Sequence, residues 1–312
     1  TQSTGHYPVT IQNYDGYIES NKGAVVEETY DKAPERILVY SQPVTEILIG
    51  LGLQDKIVAT GHAQSPVYEP YADIISKIPT YEVNPDGNYP IKEVMLSYDP
   101  DIIVGWGSSF QDGSLGSVNE WHDRGIHTYI FNNTVPGLGD RKVSWIIDDI
   151  EKLGQIFDVE DRADEMIADI QARLDADKAA TADIPDADRP GVLTLQFMYE
   201  NEFTGRSLTD LTADIINLAG GTSLDEGGGS KQSIEVLIDK NPDIILVVNQ
   251  LTNPADKTIE MIKQNPQLQN LEAVKNNRFM VVEHAAFYCG SMRTIDAIDE
   301  LSAMMTQMMN QG

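Results

Sequence analysis

Apolar and polar residues alternate along this chain with two different periods. Residues 7–14 (YPVTIQNY) and 24–30 (AVVEETY) alternate with a period of two on either side of a polar stretch that contains glycine, which predicts a β-hairpin. From residue 36 onward, short β-branched runs such as RILVY and PDIIVGW take turns with segments whose apolar residues recur at helical spacing. Strands and helices in regular alternation predict a parallel sheet covered by helices, so the predicted fold class is α/β.

The alternation is interrupted near the middle of the chain by the longest helical signal. Residues 142–157 and 160–182 both have helical periodicity, and the second segment carries only a narrow apolar stripe on an otherwise charged helix. Because a helix this polar has little core to enter, we expect it to link two domains. Two prolines in IPDADRP (184–190) end it, after which strands and helices alternate again.

Chain length also favours two domains. The chain has 312 residues, and a domain usually holds about 100–200. We therefore predict two similar lobes, each with a central and mostly parallel sheet, joined by one long α-helix. The predicted limits are 1–157 for the N-terminal lobe, 158–184 for the linking helix and 185–312 for the C-terminal lobe.

Two segments, EVMLSYDPDII (93–103) and EVLIDKNPDII (235–245), repeat almost the same sequence, one in each predicted lobe. In both, a glutamate stands in the first turn of a predicted helix, a proline ends the helix, and Asp-Ile-Ile begins a central strand. Most of the repeat is therefore explained as scaffold. Two acids at equivalent positions of two lobes, Glu93 and Glu235, are not explained by the scaffold alone.

Composition narrows the possible partners. Acidic residues outnumber basic ones, 49 to 22, and the formal net charge is −27. A field of this sign repels phosphate backbones and argues against nucleic acid. No run of about 18 apolar residues occurs, which predicts no membrane-spanning helix. The single cysteine, Cys289, excludes an internal disulfide and a zinc site made of cysteines. The sequence begins without Met and without a leader segment, which predicts a processed start.

Sequence signatures of catalysis are absent. The GGGSK segment lacks Walker A spacing, since Ser230 separates Gly229 from Lys231. Neither G-x-S-x-G nor H-E-x-x-H occurs. We interpret His122 and His127 as a helix end and a strand start rather than as a metal pair. We therefore expect no enzyme activity, no cofactor and no metal-ligating set.

The order of segments resembles the substrate-binding proteins of the ABC importers for iron-siderophore, haem and vitamin B12. The resemblance covers essentially the whole chain and rests on a hairpin, a single long helix, a C-terminal helix and these segments: PERILVYSQPVTEILIGLGLQDKIVATG, IKEVMLSYDPDIIVGW, AGG, SIEVLIDKNPDIILV and LEAVKNNRFMVV. It implies two lobes bridged by one rigid helix, with a ligand held between them. It also implies an extracytoplasmic monomer at the cell surface or in the periplasm, peripheral to the membrane and lipid-anchored.

In the proteins that this chain resembles, one surface glutamate per lobe docks with arginines of the permease dimer. The matching positions here are Glu93 and Glu235. The repeat would then present two acids to a partner with two-fold symmetry. Exposed ion pairs contribute about 0–1 kcal/mol each, so these acids would determine register and encounter rate more than affinity.

Ligands of open parallel α/β sheets bind beyond the carboxyl ends of the strands, and here two such edges are expected to face each other between the lobes. The predicted ligand-binding residues at these ends are aromatic, polar or cationic. They are Tyr40, Gln42, His62, Trp106, Phe110, Tyr199, Arg206, His284, Tyr288 and Arg293.

These residue types suit a flat, anionic cargo such as a ferric catecholate or a chelate that carries carboxylates. Arg206 and Arg293 would meet its negative charge, and Trp106, Phe110 and Tyr288 would stack on its flat parts.

His284 and Tyr288 are also iron-ligand types, so direct coordination of an open-sided chelate or of haem stays open. The function we predict is capture of an Fe(III) chelate, a siderophore, and its delivery to an ABC permease. The alternatives are a haem or corrinoid carrier of the same family, a ligand-sensing surface protein on this fold, and an enzyme on a doubled α/β scaffold.

Overall fold

The computed structural model describes residues 5–16, 24–61, 63–81, 90–111, 113–135 and 137–310. The chain divides into two compact units. The first is drawn from residues 1–63, 67–139 and 144–169, and the second from residues 64–66, 140–143 and 170–312. Each unit is built around its own sheet, so the predicted α/β fold class is confirmed.

The first unit contains a parallel sheet in the strand order β4-β3-β5-β6 and a separate antiparallel hairpin, β1-β2. Its strands are β1 (Val9–Tyr14), β2 (Val25–Tyr30), β3 (Ile37–Val39), β4 (Ile57–Ala59), β5 (Ile102–Gly105) and β6 (His127–Ile130). Its helices are α1 (Gln42–Gly50), α2 (Ala72–Ile75), α3 (Lys92–Ser97), α4 (Val118–His122) and α5 (Ser144–Phe157). The residues of β3 and β5 are fully buried, as expected for central parallel strands.

The predicted hairpin is confirmed, and polar side chains attach it to β6. The Asn13 side chain donates to Ile130 O at 3.0 Å and accepts from Ile130 N at 2.8 Å. The buried Glu28 carboxylate lies 2.7 Å from His127 Nδ1 and 3.2 Å from His122 Nε2. Burial alone would raise the pKa of Glu28, but the hydrogen bonds to the two histidines outweigh it and lower that pKa below its usual value.

The second unit has a mixed sheet in the order β10-β8-β7-β11-β12, with β9 beside β7. Its strands are β7 (Gly191–Met198), β8 (Glu202–Gly205), β9 (Thr222–Ser223), β10 (Lys231–Ser233), β11 (Ile244–Asn249) and β12 (Phe279–Glu283). Its helices are α7 (Leu211–Leu218), α8 (Ile234–Lys240), α9 (Ala255–Gln264), α10 (Glu272–Lys275), α11 (His284–Phe287) and α12 (Met292–Met309). Strands β7, β11 and β12 are parallel, whereas β8 and β10 run antiparallel to their neighbours.

Helix α6 (Glu160–Ala180) joins the two units, since the division between them falls at Asp169 and Ile170. Its buried residues Ala163, Met166 and Ile170 belong to the narrow apolar stripe that the sequence shows. Most other positions of this helix are exposed or half-buried, which fits a helix that enters a core on one side only. The predicted limits of the lobes and of the linking helix, at 157/158 and 184/185, stay a prediction.

The repeated segments form matching helix ends. Helix α3 is followed by Asp99 at φ 49°, and α8 is followed by Asn241 at φ 41°, so both helices end in a left-handed residue. Asp and Asn tolerate this conformation better than other side chains with a Cβ, and a proline follows each of them. Ser233 Oγ accepts a hydrogen bond from Glu235 N at 3.3 Å and so caps the start of α8.

Candidate functional site

In the first unit, aromatic side chains follow two adjacent strands of the parallel sheet. Tyr40 follows β3 and Trp106 follows β5, and their ring centroids are 5.5 Å apart with the planes at 68°. The Tyr40 backbone N donates to Val104 O at 2.9 Å, which keeps the end of β3 beside β5. Both side chains are buried. Parallel strands whose carboxyl ends lie at one edge therefore bring these two predicted residues together.

A buried carboxylate supports the same edge of the sheet at β6. Asp149 of α5 is fully buried and accepts from Tyr129 Oη at 2.8 Å and from Asn132 N at 3.1 Å. The Asn132 side chain in turn accepts from Tyr14 Oη at 2.8 Å. Burial raises the pKa of Asp149 to about 8, although these hydrogen bonds oppose the increase. Asp149 therefore positions the residues that follow β6.

The structure describes two of the three other predicted residues of the first half. Gln42 is buried at the start of α1. Phe110 is buried in the hydrophobic core of the first unit, among residues such as Leu115 and Trp121. His62 lies outside the described residues. The ligand-binding role of each stays a prediction.

In the second unit, cations and aromatic rings form one continuous chain of contacts. Arg206 Cζ lies 4.9 Å from the centroid of the Phe287 ring, and that ring makes an edge contact with His284 at 5.2 Å. His284 stacks on Tyr288, with centroids 5.3 Å apart and planes at 17°. Arg141 Cζ lies 5.2 Å from the Tyr288 centroid at the far end. We call these five residues the Arg206–Arg141 chain.

One carboxylate joins the two arginines of this chain. Asp210 Oδ1 lies 3.1 Å from Arg206 Nη2 and 3.5 Å from Arg141 Nη1. A second group of Arg206, Nη1, donates to Gln196 Oε1 at 3.1 Å, and Nε has no acceptor among the described residues. Two guanidinium groups therefore share the carboxylate of Asp210, which is itself mostly buried.

A further buried acid, Asp225, interacts with Arg206. Asp225 is buried, accepts from Thr194 N at 2.6 Å and accepts from Thr212 Oγ1 at 3.2 Å. Burial raises the pKa of Asp225 to about 6, against the lowering effect of these hydrogen bonds and of Arg206. With a pKa of about 6, Asp225 is mostly ionised at pH 7 and partly compensates the positive charge of Arg206.

Sequence reasoning missed Arg141 and Asp210. Arg141 follows a glycine-rich loop in the first half of the sequence, yet it belongs to the second unit, where its backbone N donates to Thr209 O at 3.0 Å. The only sequence signal at Arg141 is its positive charge, which is uncommon in this acidic chain. Asp210 carries no signal beyond a position at the start of α7.

Arg293 and Tyr199 are the two remaining predicted residues of the second unit. Arg293, at the start of α12, is buried and donates from Nη2 to Pro66 O at 2.8 Å. Tyr199 lies in the turn between β7 and β8, at the opposite end of β8 from Arg206, and Lys231 Nζ is 4.2 Å from its ring centroid. The ligand-binding role of both residues stays a prediction.

The two predicted docking acids are exposed on their helices. Glu93 lies in the first turn of α3 and Glu235 in the first turn of α8. The neighbouring Lys92 forms an ion pair with Glu120 instead and lies 5.5 Å from the centroid of the Trp121 ring. Within the part of the chain that the structure describes, neither docking acid has an ion-pair partner.

Comparison with known proteins identifies the family. The family model described as periplasmic binding protein matches residues 37–285, which is more than half of the chain. The chain therefore belongs to the periplasmic binding protein family, and the family predicted from the sequence is confirmed. This is a family of substrate-binding proteins of transport systems rather than of enzymes.

The relatives extend over nearly the whole chain. An uncharacterized ABC transporter substrate-binding lipoprotein of Bacillus subtilis, YvrC, is 22% identical over 304 residues, covering 96% of this chain and 86% of that protein. The petrobactin-binding protein YclQ of the same organism is 23% identical over 268 residues, covering 82% and 77%. The crystal structure of a periplasmic binding protein from Veillonella parvula has a TM-score of 0.83 and 25% identity, covering 98% of this chain and 94% of that one. Among the described residues, no helix is both long enough and apolar enough to span a membrane.

Proposed function

We propose that this protein captures an Fe(III) chelate outside the cytoplasm and delivers it to the permease of an ABC importer. Family membership supports the transport role, and one relative, YclQ, is named for binding petrobactin. The lipoprotein relative YvrC supports an extracytoplasmic location. The observation that carries the choice of cargo is the Arg206–Arg141 chain, in which two arginines flank three aromatic rings.

The chain of contacts suits a cargo that is anionic and flat. Guanidinium groups bind oxyanions through several N–H groups at once, and charge-assisted hydrogen bonds of this kind are about twice as strong as neutral ones. The Arg206–Asp210–Arg141 arrangement is already partly buried, so less water screens a negative ligand there than at an exposed arginine. Ferric catecholates carry negative charge on planar rings and therefore match both the arginines and the aromatic rings of the Arg206–Arg141 chain.

A fluorescence-quenching screen tests the cargo class. The tryptophans report the binding of ferric catecholates, ferric hydroxamates, haem and cobalamin, each added separately to the full chain. We expect the tightest binding for a ferric catecholate, and we expect Arg206→Ala and Arg141→Ala each to weaken it about 10- to 100-fold, as for the loss of a charge-assisted contact. Arg189→Ala is the matched control, because Arg189 pairs with Asp186 at the surface of the same unit.

Several outcomes of this screen would contradict the proposal. Tight binding of haem or cobalamin together with no binding of ferric chelates would assign the protein to the alternative cargo classes. Equal affinity of the Arg206→Ala, Arg141→Ala and Arg189→Ala variants would remove the Arg206–Arg141 chain from the cargo site. Chemical change of the chelate during long incubation would favour an enzyme.

The two exposed glutamates are proposed to dock the permease. Each is accompanied by an exposed apolar side chain, Ile91 before Glu93 and Ile238 after Glu235, so each helix offers a charge with an apolar neighbour. A single reversal should slow uptake, because an exposed ion pair contributes only about 0–1 kcal/mol. The double reversal should abolish it, because it places like charges against the arginines of the permease at both contacts.

Uptake of radiolabelled iron chelate by cells measures this effect. The Glu93→Lys/Glu235→Lys variant should keep the cargo affinity of the wild type while uptake is lost. Asp239→Lys, an exposed change on the same helix as Glu235, should leave uptake unchanged. Normal uptake by the double variant would favour a ligand-sensing surface protein, in which these acids have no docking role.

A further inference from the structure

Three potential metal ligands meet where α5 ends and α6 begins, in the first unit, whereas the Arg206–Arg141 chain belongs to the second. His6 Nδ1 lies 3.1 Å from Glu160 Oε1 and 3.5 Å from Asp158 Oδ1. Each of the three side chains offers one ligand atom, and all three atoms lie within 4.8 Å of one another. One imidazole and two carboxylates thus converge on a single point.

The other ring nitrogen of His6 is already engaged. His6 Nε2 lies 2.7 Å from Gln155 O, and a carbonyl oxygen can only accept, so Nε2 carries the hydrogen. In the neutral imidazole, Nδ1 therefore presents its lone pair to two carboxylates. Three acceptors that face each other repel unless a cation lies between them, and that cation is either a proton on Nδ1 or a metal ion.

The arrangement around His6 has two properties of a metal ligand. Histidines that bind metals generally donate their second N–H to a carbonyl or a carboxylate, which orients the ring, as Gln155 O does here. Bonds of about 2.0–2.2 Å from nitrogen and oxygen to a first-row divalent ion place neighbouring ligand atoms roughly 3 Å apart. The separations of 3.1 and 3.5 Å fall near this value before any ion has drawn the ligands together.

We propose that His6, Asp158 and Glu160 form a binding site for a divalent first-row transition-metal cation, of the zinc or manganese type, that fastens the start of the chain to the α5–α6 junction. A donor set of one imidazole nitrogen and two carboxylate oxygens suits such ions better than the soft thiophilic ones. The side chains are 22%, 58% and 41% exposed, which leaves room for water molecules to complete the coordination.

The local electrostatics favour a cation at this point. Tyr7, next to His6, donates from its hydroxyl to Ile156 O at 2.8 Å. Both backbone carbonyls that hold His6 and Tyr7 belong to the last turn of α5, where the helix dipole is negative.

The backbone conformation of Asp158 allows a substitution that removes the carboxylate without straining the fold. Asp158 has φ 56°, in the left-handed region, and the next residue, Val159, donates from N to Gly154 O at 2.9 Å, as in the usual glycine-ended helix terminus. Glycine adopts this conformation without strain, so Asp158→Gly removes a proposed ligand and should not harm folding. Asp158→Asn keeps the shape and the tolerance for this conformation while removing the charge.

Isothermal titration of the metal-free full chain with ZnCl₂, and separately with MnCl₂, tests the site. We expect one saturable site per chain for at least one of the two ions. Asp158→Asn, Asp158→Gly and His6→Gln should each weaken its affinity by at least about tenfold, the loss that even outer-shell changes cause at metal sites. Asp99→Asn is the matched control, since Asp99 is another exposed aspartate in the left-handed region, and it should bind as the wild type does.

A spectroscopic readout distinguishes a metal ion from a proton at Nδ1. Titration with CoCl₂ supplies this readout, since its visible absorption should change on binding to the wild type and not to His6→Gln.

Three results would overturn the proposal. The first is no saturable uptake of Zn²⁺ or Mn²⁺, which would leave a protonated His6 as the cation. The second is equal affinity of the wild type and the Asp158 variants, and the third is a cobalt spectrum that is the same with and without His6. Cargo binding and uptake are not measured here, so failure of this site leaves the proposed transport function untouched.

Discussion

The buried carboxyl group of Asp149 makes the stability of the first unit depend on pH. Burial raises its pKa from the ordinary 3.8 to about 8, so between about pH 4 and pH 8 the folded protein holds a proton that the unfolded chain releases. The folded state binds the additional proton, and stability therefore decreases as the pH rises through this window. One proton corresponds to about 1.4 kcal/mol per pH unit.

Asp149→Asn replaces the protonated acid with a neutral group of the same shape. Its amide oxygen can still accept from Tyr129 Oη, so the variant should resemble the wild type at pH 5, where the acid is protonated. From pH 5 to pH 7 the wild type should lose about 3 kcal/mol of unfolding free energy relative to the variant. By pH 7 we therefore expect Asp149→Asn to be the more stable protein.

Urea unfolding at pH 5, 6, 7 and 8 measures the difference between wild type and variant. Asp148→Asn is the matched control, because Asp148 is the exposed neighbour on the same helix and its difference from wild type should stay within about 0.5 kcal/mol at every pH. If the difference between wild type and Asp149→Asn is the same at pH 5 and pH 7, Asp149 is already ionised in the folded state at pH 5. The reasoning from burial would then be wrong.

Three further changes test other parts of the structure. Cys289 is fully buried, so a thiol reagent should leave the native protein unmodified and label one thiol in urea. Gly105→Ala should lower the free energy of unfolding in urea by about 1–3 kcal/mol, since the added Cβ would lie 2.6 Å from Tyr40 Cβ. No loss of stability would mean that the strand ends can separate. Glu28→Gln should lower the free energy of unfolding by about 1–3 kcal/mol at pH 7. Because the pKa of Glu28 is lowered in the folded protein, the difference between wild type and variant should disappear as the pH falls through that pKa. An unchanged difference in acid would contradict the lowered pKa.

The sequence predicted the parts of the fold that local periodicity determines. The hairpin, the strands β3 and β5 and the long helix α6 lie where the patterns indicate them, because each has a clear period and clear breakers. Strands β8 and β10 were missed, since EFTG and KQS are too short to show alternation and become strands only by pairing with β7 and with each other. The second sheet is therefore mixed, although β7, β9, β11 and β12 pair in parallel as expected.

The candidate site could be predicted only where a residue type is rare or follows a strand. Arg206 stood out as a cation in an acidic chain, and Tyr40 and Trp106 stood out as aromatic residues after buried strands. Arg141 did not, because its partners Asp210 and Tyr288 are distant in sequence and only folding brings them together. Long-range pairs of this kind leave no periodic signal.

The second unit cannot be excised as one continuous fragment. It includes residues 64–66 and 140–143, and these short peptides satisfy hydrogen bonds within it: Ser65 Oγ accepts from Ala285 N at 2.9 Å, and Val143 N donates to Asp214 at 2.7 Å. A gene fragment beginning at residue 170 would leave Ala285 N without its acceptor and Asp214 without its donor, at about 1–3 kcal/mol for each buried group. Recombination that exchanges halves of such proteins must therefore carry both peptides along with the C-terminal half.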